Sequence, residues 1–297
     1  MKDRNINITT HKIYSTDNIE LDSFLFEPKN GTDKIVIHIH GKEGHFVQNK
    51  FVLEMGYSYP KTGYSFLTFN NRGHDYIADL IKKTATGFTS VLGGSAYDII
   101  EDCVHDINGV LNYVKDLGYK EIILQGHSLG PHKISYYLDT KPNPDISKVI
   151  LISTSDILFH LNSEVPHWEE VSGLAKKMIY EGRGKEIMAI RLWSNCPVSA
   201  ETFWNYTRPD SNTYCFNYTQ PHIPFRHFEN ISLPIFTVVA ETDFAMGIPQ
   251  EKAMKMLKER SSSEDIETYI VKGTSHNFAG KIDELTGTIT DWLKKHE

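Results

Sequence analysis

The apolar run Glu121-Ile122-Ile123-Leu124-Gln125 leads straight into Gly126-His127-Ser128-Leu129-Gly130, and this junction constrains the fold more than any other part of the chain. A buried strand that turns at once into a helix has little room at the turn. Glycines two before and two after the serine remove the side chains that would collide there. The following helix is signalled by Pro131, which suits a first turn where its missing NH costs nothing, and by Ile134, Tyr137 and Leu138 at helical spacing. A serine lifted above a strand end in this way reads as a nucleophile elbow. The five-residue pattern also arises by chance, so its weight rests on the strand before it and the helix after it.

The surrounding segments supply a matching framework. From Asn5 to about Glu27, Ile6, Ile8, Ile13, Ile19, Leu21, Phe24 and Phe26 alternate around a break at Thr16-Asp17-Asn18, which predicts an antiparallel hairpin. Lys34 to His40 and Tyr64 to Phe69 are nearly continuous apolar strands, ending in Gly41-Lys42-Glu43-Gly44 and Asn70-Asn71-Arg72-Gly73-His74-Asp75. Runs apolar on both faces are what a parallel sheet covered by helices requires, and helices are expected between them. The strongest helix covers about Tyr97 to Leu117, where Ile100, Cys103, Val104, Ile107, Val110, Leu111, Val114 and Leu117 mark one face and Gly118 ends it. Lys148 to Ser153, Ile235 to Ala240 and Glu267 to Val271 predict further strands. Helices are expected from about Pro249 to Arg260 and over Ile282, Leu285, Ile289, Trp292 and Leu293. Strands alternating with helices behind an opening hairpin indicate an α/β fold: a mostly parallel sheet with helices on both faces and an antiparallel edge.

The stretch from about Asp156 to Asn230 breaks the rhythm. It holds Trp168, Trp193 and Trp204, with Phe203, Tyr206, Tyr214, Phe216, Tyr218 and Phe225, and five prolines: Pro166, Pro197, Pro209, Pro221 and Pro224. It is too long for a plain connection and predicts a helical cap over the C-terminal edge of the sheet. The division expected is a core of residues 1–155 and 231–297 with a cap insertion at 156–230. The cap aromatics either line a pocket or form the cap's own core, the commoner fate of such side chains.

A chain of 297 residues, 40% hydrophobic, can bury one large core. A formal net charge of -7 with no block of Lys or Arg argues against a nucleic-acid partner. No apolar stretch reaches the roughly 18 residues that span a bilayer, and the start, Met1 to Asn7, lacks a signal-peptide core; no membrane partner is expected, and a cytoplasmic location is the default expectation. Cys103, Cys196 and Cys215 are odd in number and widely spaced, unlike a disulfide framework or a metal knuckle. His38 and His40 share one face of a strand, but no convergent Cys, Asp or Glu spacing accompanies them. Neither a metal nor another cofactor is expected.

A serine hydroxyl is a weak nucleophile and needs a base, an acid to orient the base, and donors for the oxyanion. Asp243, in Ala240-Glu241-Thr242-Asp243, lies just past the end of one strand. His276, in Gly273-Thr274-Ser275-His276-Asn277-Phe278, lies just past the end of the next. Catalytic groups in an open α/β sheet gather at such ends. Asp243 is also placed to cap the helix near Pro249, and His127 reads as a packing residue.

With these motifs in order, the chain resembles the α/β-hydrolase superfamily along essentially its whole length. The resemblance implies eight strands, a cap inserted after the sixth, and the chain order Ser, acid, His for a Ser128, Asp243, His276 triad. His40-Gly41-Lys42 is similar to the superfamily's H-G-x turn, so the implied oxyanion donors are the backbone NH groups of Lys42 and Leu129. Asn70-Asn71-Arg72-Gly73 resembles the D-x-R-G turn, with asparagine in place of aspartate. Some members carry the acid after the sixth strand, which keeps Asp156 as an alternative to Asp243. Taken together, His-Gly-Lys-Glu-Gly, Asn-Asn-Arg-Gly-His-Asp and Gly-His-Ser-Leu-Gly are similar to a branch that includes fungal siderophore esterases.

The activity implied is hydrolysis of a carboxylic ester of a small or medium-sized substrate through an acyl-enzyme. Thioesters, amides and carbon-carbon bonds are open to the same groups, and a non-catalytic ligand receptor on the same scaffold is the alternative of another class. An arginine facing Ser128 from among Arg72, Arg191, Arg208 and Arg226 would imply an anionic substrate.

Overall fold

The structure, a computed structural model, describes residues 5–193 and 195–297; Met1 to Arg4, within the segment read for a leader, lie outside it. In chain order the strands and helices are β1 (Ile6–Tyr14), β2 (Glu20–Pro28), β3 (Lys34–Ile39), α1 (Lys50–Ser58), β4 (Ser65–Phe69), β5 (Ala78–Thr84), β6 (Gly87–Gly93), α2 (Cys103–Asp116), β7 (Glu121–His127), α3 (Gly130–Thr140) and β8 (Ile146–Ile152). There follow α4 (Ile157–Glu164), α5 (Trp168–Tyr180), β9 (Ile187–Leu192), β10 (Cys196–Ser199), α6 (Ala200–Thr207), β11 (Ile235–Ala240), α7 (Gln250–Arg260), β12 (Ile266–Val271) and α8 (Ile282–Lys295).

Eight strands form one sheet in the order β1-β2-β4-β3-β7-β8-β11-β12. The pairs β1–β2 and β2–β4 are antiparallel, and β4, β3, β7, β8, β11 and β12 run parallel. The period-two pleat explains the unbroken apolar strands. Ile35, Ile37 and Ile39 of β3, with Ile122 and Leu124 of β7, face a core layer under α2, α3 and α7, while Val36 and Ile123 face the opposite layer under α1 and α8. This is the α/β-hydrolase fold, with the eight-stranded sheet that the motifs imply.

Register then sets the site. Ile39 pairs with Gly126, His127 with Ile152, Ile152 with Val238, and Ala240 with Val271, so the C-terminal ends of five parallel strands open on one edge.

Three segments differ from the sequence reading. The strong helical pattern begins as a short 3-10 turn at Ile100–Asp102 and becomes α-helical only at Cys103. Residues 78–93 form the antiparallel ribbon β5–β6, which the sequence does not announce because both of its faces carry polar side chains. The 156–230 stretch is not wholly helical either: beside α4, α5 and α6 it holds the ribbon β9–β10. Its aromatics divide between two cores. Phe203, Tyr206 and Tyr214 pack among themselves with Leu158, Leu161 and Val198, whereas Phe216, Tyr218, Phe225 and Phe228 join the layer under α3. No helix among the described residues is long and apolar enough to cross a membrane.

Candidate active site

Ser128 stands between β7 and α3 with φ +60°, a left-handed conformation that costs a side-chain-bearing residue about 1 kcal/mol or more. Tertiary contacts impose it. The Ser128 NH donates to Ile152 O at 3.0 Å, anchoring the turn to β8. A Cβ on Gly130 would sit 2.2 Å from Ile39 O, so only glycine lets α3 start this close to β3. A Cβ on Gly41 would sit 2.8 Å from the Cβ of Ser128, which brings the His40-Gly41-Lys42 turn against the elbow.

A cavity of about 270 Å³ opens above this junction. Gly41, Lys42, Ser128, Leu129 and His276 border it, together with Glu43, Gln48, Asn49, Ile157, Trp193 and Phe244. Of the five residues singled out by sequence, four thus share one cavity. Neither the Lys42 nor the Leu129 backbone NH is engaged by another group among the described residues.

Asp243, the fifth, lies behind His276 and is buried. His276 Nδ1 is 2.9 Å from Asp243 Oδ1 and 3.1 Å from Oδ2. Burial opposes ionisation of Asp243, but the hydrogen bond and positive field of His276 and the Ala245 NH outweigh it, and the carboxyl is held below its ordinary value. Asp243 does not cap α7, whose N-cap is Pro249 without a side-chain bond; it accepts instead from the Ala245 NH at the head of the 3-10 turn Phe244–Met246. Asp156 is occupied elsewhere. It caps α4 through the Phe159 NH at 3.0 Å and accepts from the backbone NH and hydroxyl of Thr219 at 2.7 and 2.8 Å, which ties the Thr219 segment to the start of α4.

Several supporting groups are invisible in the sequence. His127 is buried against Phe51, and its Nε2 donates to the His276 carbonyl at 3.0 Å, so it holds the loop that carries the imidazole. Burial first, then the positive field of His276, lowers the His127 ring to about 3, which keeps it neutral. His40 donates from Nδ1 to Gly41 O at 2.8 Å and accepts the Asn71 NH on Nε2 at 3.0 Å. In the Asn-Asn-Arg-Gly turn both asparagine side-chain oxygens are bonded: Asn70 Oδ1 accepts from the Phe46 NH, and Asn71 Oδ1 from the Gly73 NH and the Lys133 ammonium.

None of the four arginines borders the cavity. Arg72 pairs with Asp17 and Asp106, Arg208 with Glu101, and Arg191 and Arg226 donate to backbone carbonyls. The Lys42 ammonium is committed too, bonded to Ser95 O at 2.9 Å and lying over the rings of Trp193 and Tyr206 at 5.1 and 4.8 Å. Of the three tryptophans in the 156–230 stretch, Trp193 reaches the cavity wall, and Trp168 and Trp204 border a separate cleft between α5 and α6. Far from the site, Asp265, Glu267 and His296 approach one another, with the Lys295 ammonium 2.8 Å from Glu267 as their neutralising cation.

A family model described as protein of unknown function (DUF1749) matches residues 83–294. No curated protein matches the chain. Among solved structures, Est1E from Butyrivibrio proteoclasticus with ferulic acid bound superposes with a TM-score of 0.65 at 15% identity, covering 96% of this chain and 98% of that one. An esterase of Pyrococcus furiosus gives 0.62 at 20% identity, with 99% and 93% covered. A monoacylglycerol lipase of Paleococcus ferrophilus gives 0.58 at 18% identity, with 98% and 100% covered. At these identities the likeness is one of fold.

Proposed function

We propose, for this chain, which belongs to the family described as protein of unknown function (DUF1749), hydrolysis of a carboxylic ester through an acyl-enzyme on Ser128. The observation that carries this reading is the bonding of His276 Nδ1 to the buried Asp243 while His276 and Ser128 border one cavity. With Nδ1 held by the carboxylate, Nε2 is the basic nitrogen. It takes the Ser128 proton as Oγ attacks the ester carbonyl. The tetrahedral oxyanion receives the NH groups of Lys42 and Leu129. Collapse expels the alcohol, which takes the proton from His276, and water then attacks the acyl-enzyme with His276 again as base. Free acid and serine are regenerated.

A cavity of about 270 Å³ walled by Ile157, Trp193 and Phe244 suits a small or medium-sized ester. The cap contributes two of those walls and acts as its lid. The names of the esterase and the lipase among the structural neighbours agree with this reaction class. Thioesters, amides and carbon-carbon bonds are chemically open to the same groups.

The test is covalent labelling by a fluorophosphonate probe. Folded wild-type protein is expected to label at Ser128, and Ser128→Ala is expected not to. Folded wild-type protein that stays unlabelled would overturn the reading in favour of a non-catalytic ligand receptor.

A further inference from the structure

One polar group of the cavity has no part in the acyl transfer. Glu43 follows Lys42 in the proposed oxyanion turn with φ +42°, held there by a β-bridge to His74 and by the Asp75 NH on Gly44 O at 3.3 Å. A glutamate does not adopt this conformation by preference. Glu43 lines the cavity together with Ser128 and His276, and its Oε2 is buried without a hydrogen-bond partner among the described residues. A buried carboxyl oxygen in that state lacks a donor or a counter-charge, and in a substrate cavity the partner still to come is the ligand's.

The charged and titratable groups around Glu43 do not fill that role. The Lys42 ammonium is spent on Ser95 O and two aromatic faces, and His276 Nδ1 is spent on Asp243. His74 pairs with Asp75, and Glu164 on α4 pairs with His160. Tyr76, Tyr206 and Cys196, which also feel the Glu43 charge, have raised values and are uncharged near neutrality.

We propose that Glu43 is the specificity-determining residue of this site, a carboxylate that pairs with an ammonium group carried by the ester close to its scissile bond. The proposal rests on the serine-hydrolase reading above. A bare carboxylate beside the oxyanion donors opposes the negative charge that builds there. A substrate ammonium cancels that opposition, and the Phe244 ring, which borders the same cavity, is an aromatic surface a cation tolerates. Burial pushes the Glu43 carboxyl up to about 7, Lys42 and His276 pull it down, and Glu164 adds to the rise. Glu43 is therefore neutral below about pH 7 and charged above it, so the preference for a cationic ester grows as pH rises through that value.

The experiment compares kcat/KM for acetylthiocholine and its uncharged isostere 3,3-dimethylbutyl thioacetate from pH 5.5 to 8.5, with thiol release followed by 4,4′-dithiodipyridine. The ratio removes the ionisation of His276, which both substrates share. In the wild type the cation-to-neutral ratio is expected to rise by about tenfold across pH 7, the factor for one partly screened charge pair. In Glu43→Gln it is expected to stay flat and low. Equal ratios in the two proteins at pH 8.5, or no turnover of the cationic ester by protein that the fluorophosphonate probe labels, overturns the assignment of Glu43 alone. Absence of labelling at Ser128 overturns the underlying reading, and this one with it.

Discussion

At the scale of single residues, Asp243 and Asp156 form a natural experiment. Both are buried carboxyls at strand ends, and the sequence leaves the acid open between them. Asp243 is bonded to His276, whereas Asp156 is consumed by the Phe159 NH and by Thr219. Under the proposed mechanism, Asp243→Asn keeps an oxygen for the Ala245 NH but loses the charge that sets the imidazole tautomer. Its kcat is expected to fall by on the order of 10³ to 10⁴ with little change in KM. Asp156→Asn is expected to remain within about tenfold of wild-type kcat, because it touches the cap and not the base. Steady-state kinetics on a neutral p-nitrophenyl ester checks both, and the reverse order of losses would move the acid to Asp156. His127 shows why such roles stay hidden in a sequence: its bond to the His276 carbonyl joins residues 149 positions apart.

At the scale of elements, the close contact of β3, β7 and α3 is the feature on which the site depends. Gly130 starts α3 against the carbonyl end of β3, and a methyl group there would have to displace backbone rather than a flexible side chain. Gly130→Ala is expected to lower the unfolding free energy by about 1–3 kcal/mol, the range for overpacking a tight interior, and to displace the Leu129 NH from the cavity wall. Urea denaturation measures the first effect. A variant with unchanged midpoint and slope would show that α3 can shift without cost. The elements legible in the sequence are those whose faces are uniform: the parallel strands, apolar on both sides, and α2, apolar on one. The β5–β6 and β9–β10 ribbons are not legible, because short strands with mixed faces carry no period that separates them from loops.

At the scale of the whole molecule, the layers on either side of the sheet bury several imidazoles. Burial lowers His38 and His127 to about 3 and His132 to about 4, so each ring is neutral in the fold down to those values. In the unfolded chain an imidazole binds a proton below about pH 6.5. The unfolded state therefore holds more protons, and stability is lost as pH falls from about 6.5 toward the folded values, by up to about 1.4 kcal/mol per pH unit for each ring. Denaturant titrations at pH 7.5, 6.0 and 5.0 are expected to give a falling unfolding free energy, and a constant value would contradict the burial of neutral rings. By itself the sequence determined the uniform-faced strands and helices, their order along the chain, and the candidates for nucleophile and base, with the acid left open between Asp243 and Asp156. Those follow from side-chain periodicity and from glycine sterics, which are local. Tertiary structure alone decided that His276 takes Asp243 and not Asp156, that no arginine borders the cavity, that Trp193 of the 156–230 stretch lies on its wall, and that Glu43 lines it with a carboxyl that keeps one buried oxygen unpartnered. Each of those depends on register and packing between segments distant in the chain, where a shift of one residue would reverse the face a side chain presents.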